Sequence, residues 1–156
     1  YTVIYSTEVF DKNKKSLATP IDVSIDVVDG VITFDPIASM GDAGKNAEFK
    51  GTYSTFPSNL EVGQNVGDYS YTLKMMGMTT SVNGSGKVIA KESITTPAGS
   101  FDCYKVESEV STKAMLNTTK IVTTSWYARG VGSVRTETYD KKGKLLSVQE
   151  LVALQK

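Results

Sequence analysis

The sequence predicts an antiparallel all-β fold in a single domain over residues 1–156, from three observations. Short segments rich in valine, threonine and tyrosine alternate apolar with polar residues, which is the period of a half-buried strand. Clusters of glycine, proline, asparagine and aspartate separate these segments. Hydrophobic residues make up 40% of the chain, which is enough for one domain with a core.

The chain opens with two predicted strands. Residues 1–10 are strand-like, and the polar run at 11–15 turns the chain, which predicts a first hairpin. The next strand has isoleucine or valine at 21, 23, 25 and 27 and aspartate or serine at 22, 24 and 26. One face of this strand is therefore expected in the core and the other in water.

Turn residues set the boundaries that follow. Asp29-Gly30 supplies the positive φ angles of a tight hairpin turn before a short strand at 31–34, which stops at Pro36. Residues 37–47 are predicted to form a loop with a single helical turn. A strand is then expected over 48–56.

The rest of the chain alternates predicted strands with predicted turns. The segment 60–64 is a short connector, and Asn-Gly-Ser-Gly at 83–86 is interpreted as a loop. Pro-Ala-Gly-Ser at 97–100 is the strongest turn signal, and 140–144 matches a type I turn with a glycine bulge. Strands are predicted over 69–75, 78–82, 87–95, 101–112, 120–128, 133–139 and 144–154, and both faces of the last are expected to be partly covered.

This pattern predicts roughly nine to eleven strands with short connections. We expect an antiparallel meander curled into a closed or half-open barrel, because closure removes exposed sheet edges. The alternative is a two-sheet sandwich.

Composition excludes several classes of function. Lysine plus arginine and aspartate plus glutamate both total 17, so no net charge attracts nucleic acid. The chain has no histidine and one cysteine, Cys103, which excludes imidazole-based triads, an intrachain disulfide and a cysteine zinc site. No cofactor and no metal are therefore predicted.

Two features bear on transport of the chain. No stretch approaches the roughly 20 apolar residues of a transmembrane helix. The sequence begins at Tyr1 in a strand-like pattern without an initiator methionine, so we expect that an upstream segment has been removed, and a signal segment would fit.

Met75, Met76 and Met78 are the first candidate ligand-binding residues. Flexible thioether side chains around a glycine fill gaps in a core, line an apolar pocket or contact surface, or bind Cu(I). Core filling is the commonest of these roles, and metal binding is the rarest.

A second candidate group is Trp126, Tyr127 and Arg129. Neighbouring strand residues face opposite sides, so only one of the two aromatic rings can lie in a given core. Arg129 can stack on a ring or clamp a carboxylate. The alternative is that Trp126 is core and Arg129 a surface charge.

Charged strand residues form the third group. Glu107 and Glu109 share one strand face at a spacing compatible with paired-carboxylate chemistry, although solvated charges are commoner. Glu150 interrupts an apolar face and is predicted to pair with Arg135, a further candidate ligand-binding residue. Cys103 is predicted to be a small buried hydrophobe.

Three sequence motifs point to a family. They are TPAGSFDCYK at 96–105, WYARGVG at 126–132 and YDKKGKL at 139–145, with LEVGQ at 60–64 and MMGM at 75–78 upstream. Over residues 57–150 the chain resembles the TapB or "domain of unknown function 3108"-like proteins of Bacteroidetes. The resemblance implies an exported, predominantly β protein that is extracytoplasmic, in the periplasm or at the cell surface, and has no established activity. More distantly, it implies a similarity to periplasmic lipoprotein carriers, which hold acyl chains in a curved sheet.

Two function classes follow, with a third behind them. The first is a non-enzymatic exported binding protein that holds an apolar ligand, a lipid or acyl chain, in a curved sheet. The alternative is a structural or interaction protein of the cell envelope without a ligand cavity, which would contact another envelope protein. A carboxylate-based hydrolase comes third. None of these predicted functions involves binding to nucleic acid or a transmembrane segment in this chain.

Overall fold

The structure, a computed structural model, describes residues 2–8, 10, 15–16, 21–37 and 44–154. This part of the chain forms β-strands joined by short turns. Its strands are β1 (Thr2–Thr7), β2 (Ile21–Val28), β3 (Val31–Phe34), β4 (Glu48–Gly51), β5 (Ser54–Pro57), β6 (Asn65–Met75), β7 (Met78–Thr96), β8 (Gly99–Ala114), β9 (Asn117–Ala128), β10 (Gly132–Asp140) and β11 (Leu145–Glu150).

The strands form two antiparallel sheets. A small sheet has the order β1-β2-β3-β5, and a large sheet has the order β11-β10-β9-β8-β7-β6-β4. The all-β antiparallel prediction is confirmed, and two sheets are what the sandwich alternative predicts. Neither sheet closes on itself among the described strands, so the closed barrel is not observed there. No described helix is long and apolar enough to cross a membrane.

The beginning of the chain follows its turn residues. β1 pairs with β2 in antiparallel register, Thr2 opposite Asp26, whereas most of the turn predicted at 11–15 lies outside the described residues. Asp29 and Gly30 both have positive φ, 50° and 74°, as a tight hairpin turn requires. Of the loop predicted at 37–47, residues 38–43 lie outside the described part, and 44–46 form a 3₁₀ turn.

The prediction of a single strand over 48–56 is wrong. The segment divides into β4 in the large sheet and β5 in the small sheet. The chain crosses between the sheets after Gly51, whose φ is 138° and whose missing Cβ would overlap the carbonyl oxygen of Ser70. A glycine is required there because no other residue tolerates both the φ angle and the close backbone contact.

The loop predicted at 83–86 is also wrong, because these residues lie inside β7. A Cβ at Gly84 would overlap the ring of Tyr69, its partner on β6. A Cβ at Gly86 would lie 2.5 Å from Ser108 Oγ on β8. Glycine here makes room for neighbouring side chains rather than turning the chain.

Both faces of the large sheet carry apolar clusters at one end. On one face Leu60, Val66, Val88 and Val106 are buried, with Phe56, Tyr104 and Tyr127 packed against them. On the other face the buried residues are Cys103, Trp126, Ala128 and Val134. The prediction that both faces of the last strand are partly covered is wrong. β11 ends at Glu150 and is exposed at all six positions, because it is the edge strand of the large sheet.

Candidate functional site

An open cleft of about 1740 Å³ lies between the two sheets. Its walls come from both sheets and from the connections that join them. We define the small-sheet wall by Ile25, Val27, Ile32 and Phe34, and the large-sheet wall by Tyr104, Tyr127 and Val131. Apolar side chains therefore dominate both sides of the cleft.

The small-sheet wall follows from strand alternation. In β2, Val27 is buried and Ile25 is half-buried, whereas Asp22 and Asp26 are exposed. Ile32 of β3 lies between Val27 and Phe56 in the hydrogen-bonded register. Because side chains of a strand point to alternate faces, the apolar face of this sheet is turned to the cleft.

Phe56 and Tyr127 form the floor where the sheets meet. Their ring centroids are 4.6 Å apart at an interplanar angle of 31°, within the range of favourable aromatic pairs. Leu60 is buried in the same cluster. Burial raises the pKa of the Tyr127 phenol, so this ring is neutral throughout the physiological pH range.

The rim of the cleft is polar. Arg129 is exposed at the start of the β9–β10 connection, and its Nη2 donates to Asn59 Oδ1 at 2.9 Å. Glu8 and Glu61 are exposed lining residues as well. The cleft thus combines apolar walls with a small set of charged groups at its opening, which is the usual composition of a ligand site.

The structure separates the second group of predicted site residues. Tyr127 and Arg129 line the cleft, whereas Trp126 lies on the opposite face of the large sheet, as strand alternation predicts. Trp126 is 7% exposed, in agreement with its alternative role as a core residue. Arg135 lies directly opposite Trp126 in the register and so on the Trp126 face, where its guanidinium is bound to Glu137 and Glu150.

Charged side chains surround Trp126 on that opposite face. Its Nε1–H donates to Glu92 Oε1 at 2.6 Å, and this bond lowers the pKa of the Glu92 carboxyl, with a further contribution from Lys105. Lys105 Nζ lies 5.2 Å and Arg135 Cζ 5.8 Å from a Trp126 ring centroid, within cation–π range.

The pair predicted between Arg135 and Glu150 is confirmed, with Nη1 and Oε1 2.7 Å apart. Arg135 also bonds Glu137 at 2.5 Å, and Tyr139 donates to the second carboxylate oxygen of Glu137. The Arg135–Glu150 pair joins β10 to the edge strand β11, whereas the bonds to Glu137 lie within β10.

Glu107 and Glu109 are exposed on the large sheet and line a separate depression of about 550 Å³. Lys120 donates to Glu109 at 2.9 Å. This is the ordinary arrangement of solvated strand carboxylates. Cys103 is fully buried as predicted, and burial raises the pKa of its thiol.

The three methionines lie away from the cleft. Met75 ends β6, Met78 begins β7, and Met76 occupies the turn between them, where it is 91% exposed. Sequence reasoning missed the residues of the small-sheet wall as site residues. The alternation in β2 shows which side chains share a face, but it does not show that this face looks onto Tyr127.

Comparison with known proteins places this fold in a family. A family model described as DUF3108-like matches residues 1–151. The chain belongs to the DUF3108-like family. The resemblance carried by the three sequence motifs is thereby confirmed, and the match extends to the small sheet, which those motifs do not cover.

Two solved structures share the fold of this DUF3108-like protein. A Bacteroides fragilis NCTC 9343 protein, described as exported and as having a YmcC-like fold, has a TM-score of 0.65 and 23% identity, over 99% of this chain and 80% of its own. A Parabacteroides distasonis ATCC 8503 protein, described as a lipoprotein, has a TM-score of 0.64 and 22% identity, over 99% of this chain and 79% of its own. At this identity the likeness shows the fold alone. No curated protein matches the chain significantly.

Proposed function

We propose that this protein is a non-enzymatic, extracytoplasmic binding protein that holds the apolar chain of a lipid or fatty acid in the cleft between its sheets. The observation that supports the proposal is the cleft itself, with apolar walls from both sheets and a volume of about 1740 Å³. This volume exceeds the roughly 300–1,000 Å³ of pockets that bind drug-sized molecules. A long acyl chain fits a space of this size better than a small polar metabolite does.

The apolar walls supply the binding energy in this proposal. Transfer of an acyl chain from water into such a space is favourable by about 0.8 kcal/mol for each buried methylene group. Ile32 and Phe34 on one side and Tyr104 and Val131 on the other offer surface for this burial. Because apolar contacts have no direction, the cleft would accept chains of different length.

In this proposal Arg129 gives the cleft a preference for a ligand with an anionic head group. A guanidinium carries five N–H donors, and the bond to Asn59 uses one of them. The planar fork of the others matches a carboxylate or phosphate oxygen pair. An anionic amphiphile would therefore place its head at Arg129 and its chain between the sheets.

The extracytoplasmic part of the proposal rests on a different observation. Of the two proteins that share this fold, one is described as exported and the other as a lipoprotein. The motif resemblance points in the same direction. A carrier or sensor of lipids outside the cytoplasm is consistent with both descriptions.

The test is titration of the purified protein with a fluorescent C18 fatty acid and with its uncharged methyl ester. We expect saturable binding of both probes, with the acid bound more tightly. Arg129→Gln should weaken acid binding about tenfold and leave ester binding unchanged, because a charge-assisted bond is worth about 1.5–3 kcal/mol. Ile25→Trp, which adds bulk on the cleft-facing side of β2, should weaken binding of both probes.

Lys141→Gln is the matched control, since it removes a cation from the exposed turn before β11 and should leave both affinities unchanged. Binding of neither probe, or binding that Ile25→Trp does not affect, would contradict the proposal. An envelope interaction protein without a ligand would then be the better interpretation.

A further inference from the structure

Two hairpin turns place large apolar side chains in water at one end of the large sheet. We call Met76, Met78, Met115 and Leu116 the apolar tips; they are 91%, 57%, 76% and 98% exposed. Met76 lies in the β6–β7 turn and Met78 directly follows that turn, whereas Met115 and Leu116 form the β8–β9 turn. The turns are neighbours, because β7 pairs with β8 and Thr80 lies opposite Ala114.

The backbone conformation at the tips is unfavourable for the residue types found there. Met76 and Met115 have φ angles of 51° and 55°, in a region that glycine and asparagine tolerate and other residues enter at a cost of about 1 kcal/mol or more. Two-residue hairpin turns normally hold glycine or asparagine at such positions. Exposed methionine and leucine therefore stabilise neither the turn nor the core.

The charged residues of the two hairpins, close behind the tips, are lysines. The hairpin segments 70–80 and 110–121 contain Lys74, Lys113 and Lys120 and no acidic residue. Lys74 lies 3.6 Å from Glu48 of β4, and Lys120 lies 2.9 Å from Glu109 further down the sheet. Apolar side chains at the extreme end, with lysines two to five residues behind them in the sequence, match the order of layers in an anionic membrane surface.

We propose that the apolar tips insert into the interface of a bilayer that contains anionic lipids, with Lys74, Lys113 and Lys120 at the level of the head groups. Four exposed apolar side chains supply the burial, and the lysines select anionic lipid. The site is independent of the cleft: Tyr104 on the cleft wall is eleven residues from Met115, roughly 36 Å along a strand. Loss of one site should leave the other intact.

The test is cosedimentation with vesicles of phosphatidylcholine alone and of phosphatidylcholine mixed with phosphatidylglycerol. Wild type should bind the mixed vesicles and dissociate at high salt. The variant Met76→Asn with Met115→Gly and Leu116→Asn should bind at least about tenfold more weakly, because apolar burial is lost. Its turns would hold residues suited to their φ angles, so thermal unfolding should show it no less stable than wild type.

Two further variants separate apolar insertion from charge. Lys113→Gln should weaken binding to the mixed vesicles about fivefold, because a lysine near an anionic surface contributes about 1 kcal/mol. Val62→Asn is the matched control, since Val62 is 58% exposed and lies outside the tips. It should bind as wild type does.

Depth is measured with Leu116→Trp and Val62→Trp in vesicles of brominated lipid. We expect quenching of the first and none of the second, against the constant background of buried Trp126. Absence of wild-type binding to either vesicle would overturn the proposal, as would undiminished binding of the triple variant. A wild-type dimer that the triple variant abolishes, without vesicle binding, would also overturn it and assign the tips to a second copy of the chain.

Discussion

The hydroxyl of Tyr5 donates a hydrogen bond to the carbonyl oxygen of Val131 at 3.0 Å, and this bond joins the two sheets. Tyr5 lies in β1 of the small sheet, and Val131 precedes β10 of the large sheet. The next residue is Gly132, where a Cβ would overlap the Tyr5 hydroxyl. The end of the cleft therefore depends on a contact that only glycine permits.

Gly132→Ala should destabilise the protein by about 2–4 kcal/mol. The φ of Gly132 is 100°, which strains any other residue, and the added methyl would displace Tyr5. Urea unfolding measures the loss. Gly143→Ala is the control, since its φ is 79° but nothing lies within 4 Å of the added methyl, and it should cost only about 1 kcal/mol. Equal losses in the two variants would contradict the role of Tyr5.

Gly84→Ala tests the contact that keeps residues 83–86 in a strand. We expect a loss of about 1–3 kcal/mol in wild type, because the methyl group would overlap the ring of Tyr69. In a Tyr69→Ala background the same substitution should cost less than about 0.5 kcal/mol, since the opposing ring is gone. A double-mutant cycle from urea unfolding measures this coupling. Additive losses would show that the ring does not determine the choice of glycine.

Protonation of Glu137 should make the stability of the protein depend on pH in the acid range. The hydrogen bond from Tyr139 lowers the pKa of its carboxyl below the ordinary 4.5, and Arg135 lowers it further. A carboxyl with a lowered pKa in the folded state contributes stability above about pH 4.5, and that stability is lost as pH falls through the folded pKa. Glu137→Gln should therefore be less stable than wild type at pH 7 and equally stable at the acid end.

Urea unfolding at a series of pH values measures this difference for Glu137. Glu107→Gln is the control, because Glu107 is exposed and should change stability little at any pH. A difference between wild type and Glu137→Gln that stays constant with pH would contradict the linkage.

Cys103 should resist thiol reagents in the folded protein. Its side chain is fully buried, and burial raises the pKa of the thiol, so neither access nor a thiolate is available. We expect labelling by a disulfide reagent to be at least about a hundredfold slower in buffer than in urea. Complete labelling of native protein within minutes would show that the end of the sheet near Cys103 opens readily.

Local patterns predicted much of this fold. The alternation from 21 to 27, the positive φ angles at Asp29-Gly30 and the pairing of Arg135 with Glu150 all depend on residues near in sequence or on adjacent strands. These features are predictable because a strand has a period of two and a tight turn admits few residue types.

Glycines produced the two errors in strand boundaries, at 48–56 and 83–86, because the sequence does not show which residues pack against a glycine. At Gly84 and Gly86 it accommodates side chains of adjacent strands, and at Gly51 it lets the chain cross between sheets. Each role depends on a residue at least 15 positions away, such as Tyr69, Ser108 or Ser70. Turn propensity alone cannot distinguish these roles from an ordinary loop.

The amino-acid pattern was sufficient for the all-β class, the family and the opposite orientations of Trp126 and Tyr127, because these depend on local period and motif. Folding of the whole chain placed Phe56 of the small sheet against Tyr127 of the large one and so made the cleft. It also brought the two apolar turns together at one end of the sheet. Such contacts join residues far apart in sequence, and their energy comes from shape and burial that exist only in the packed chain.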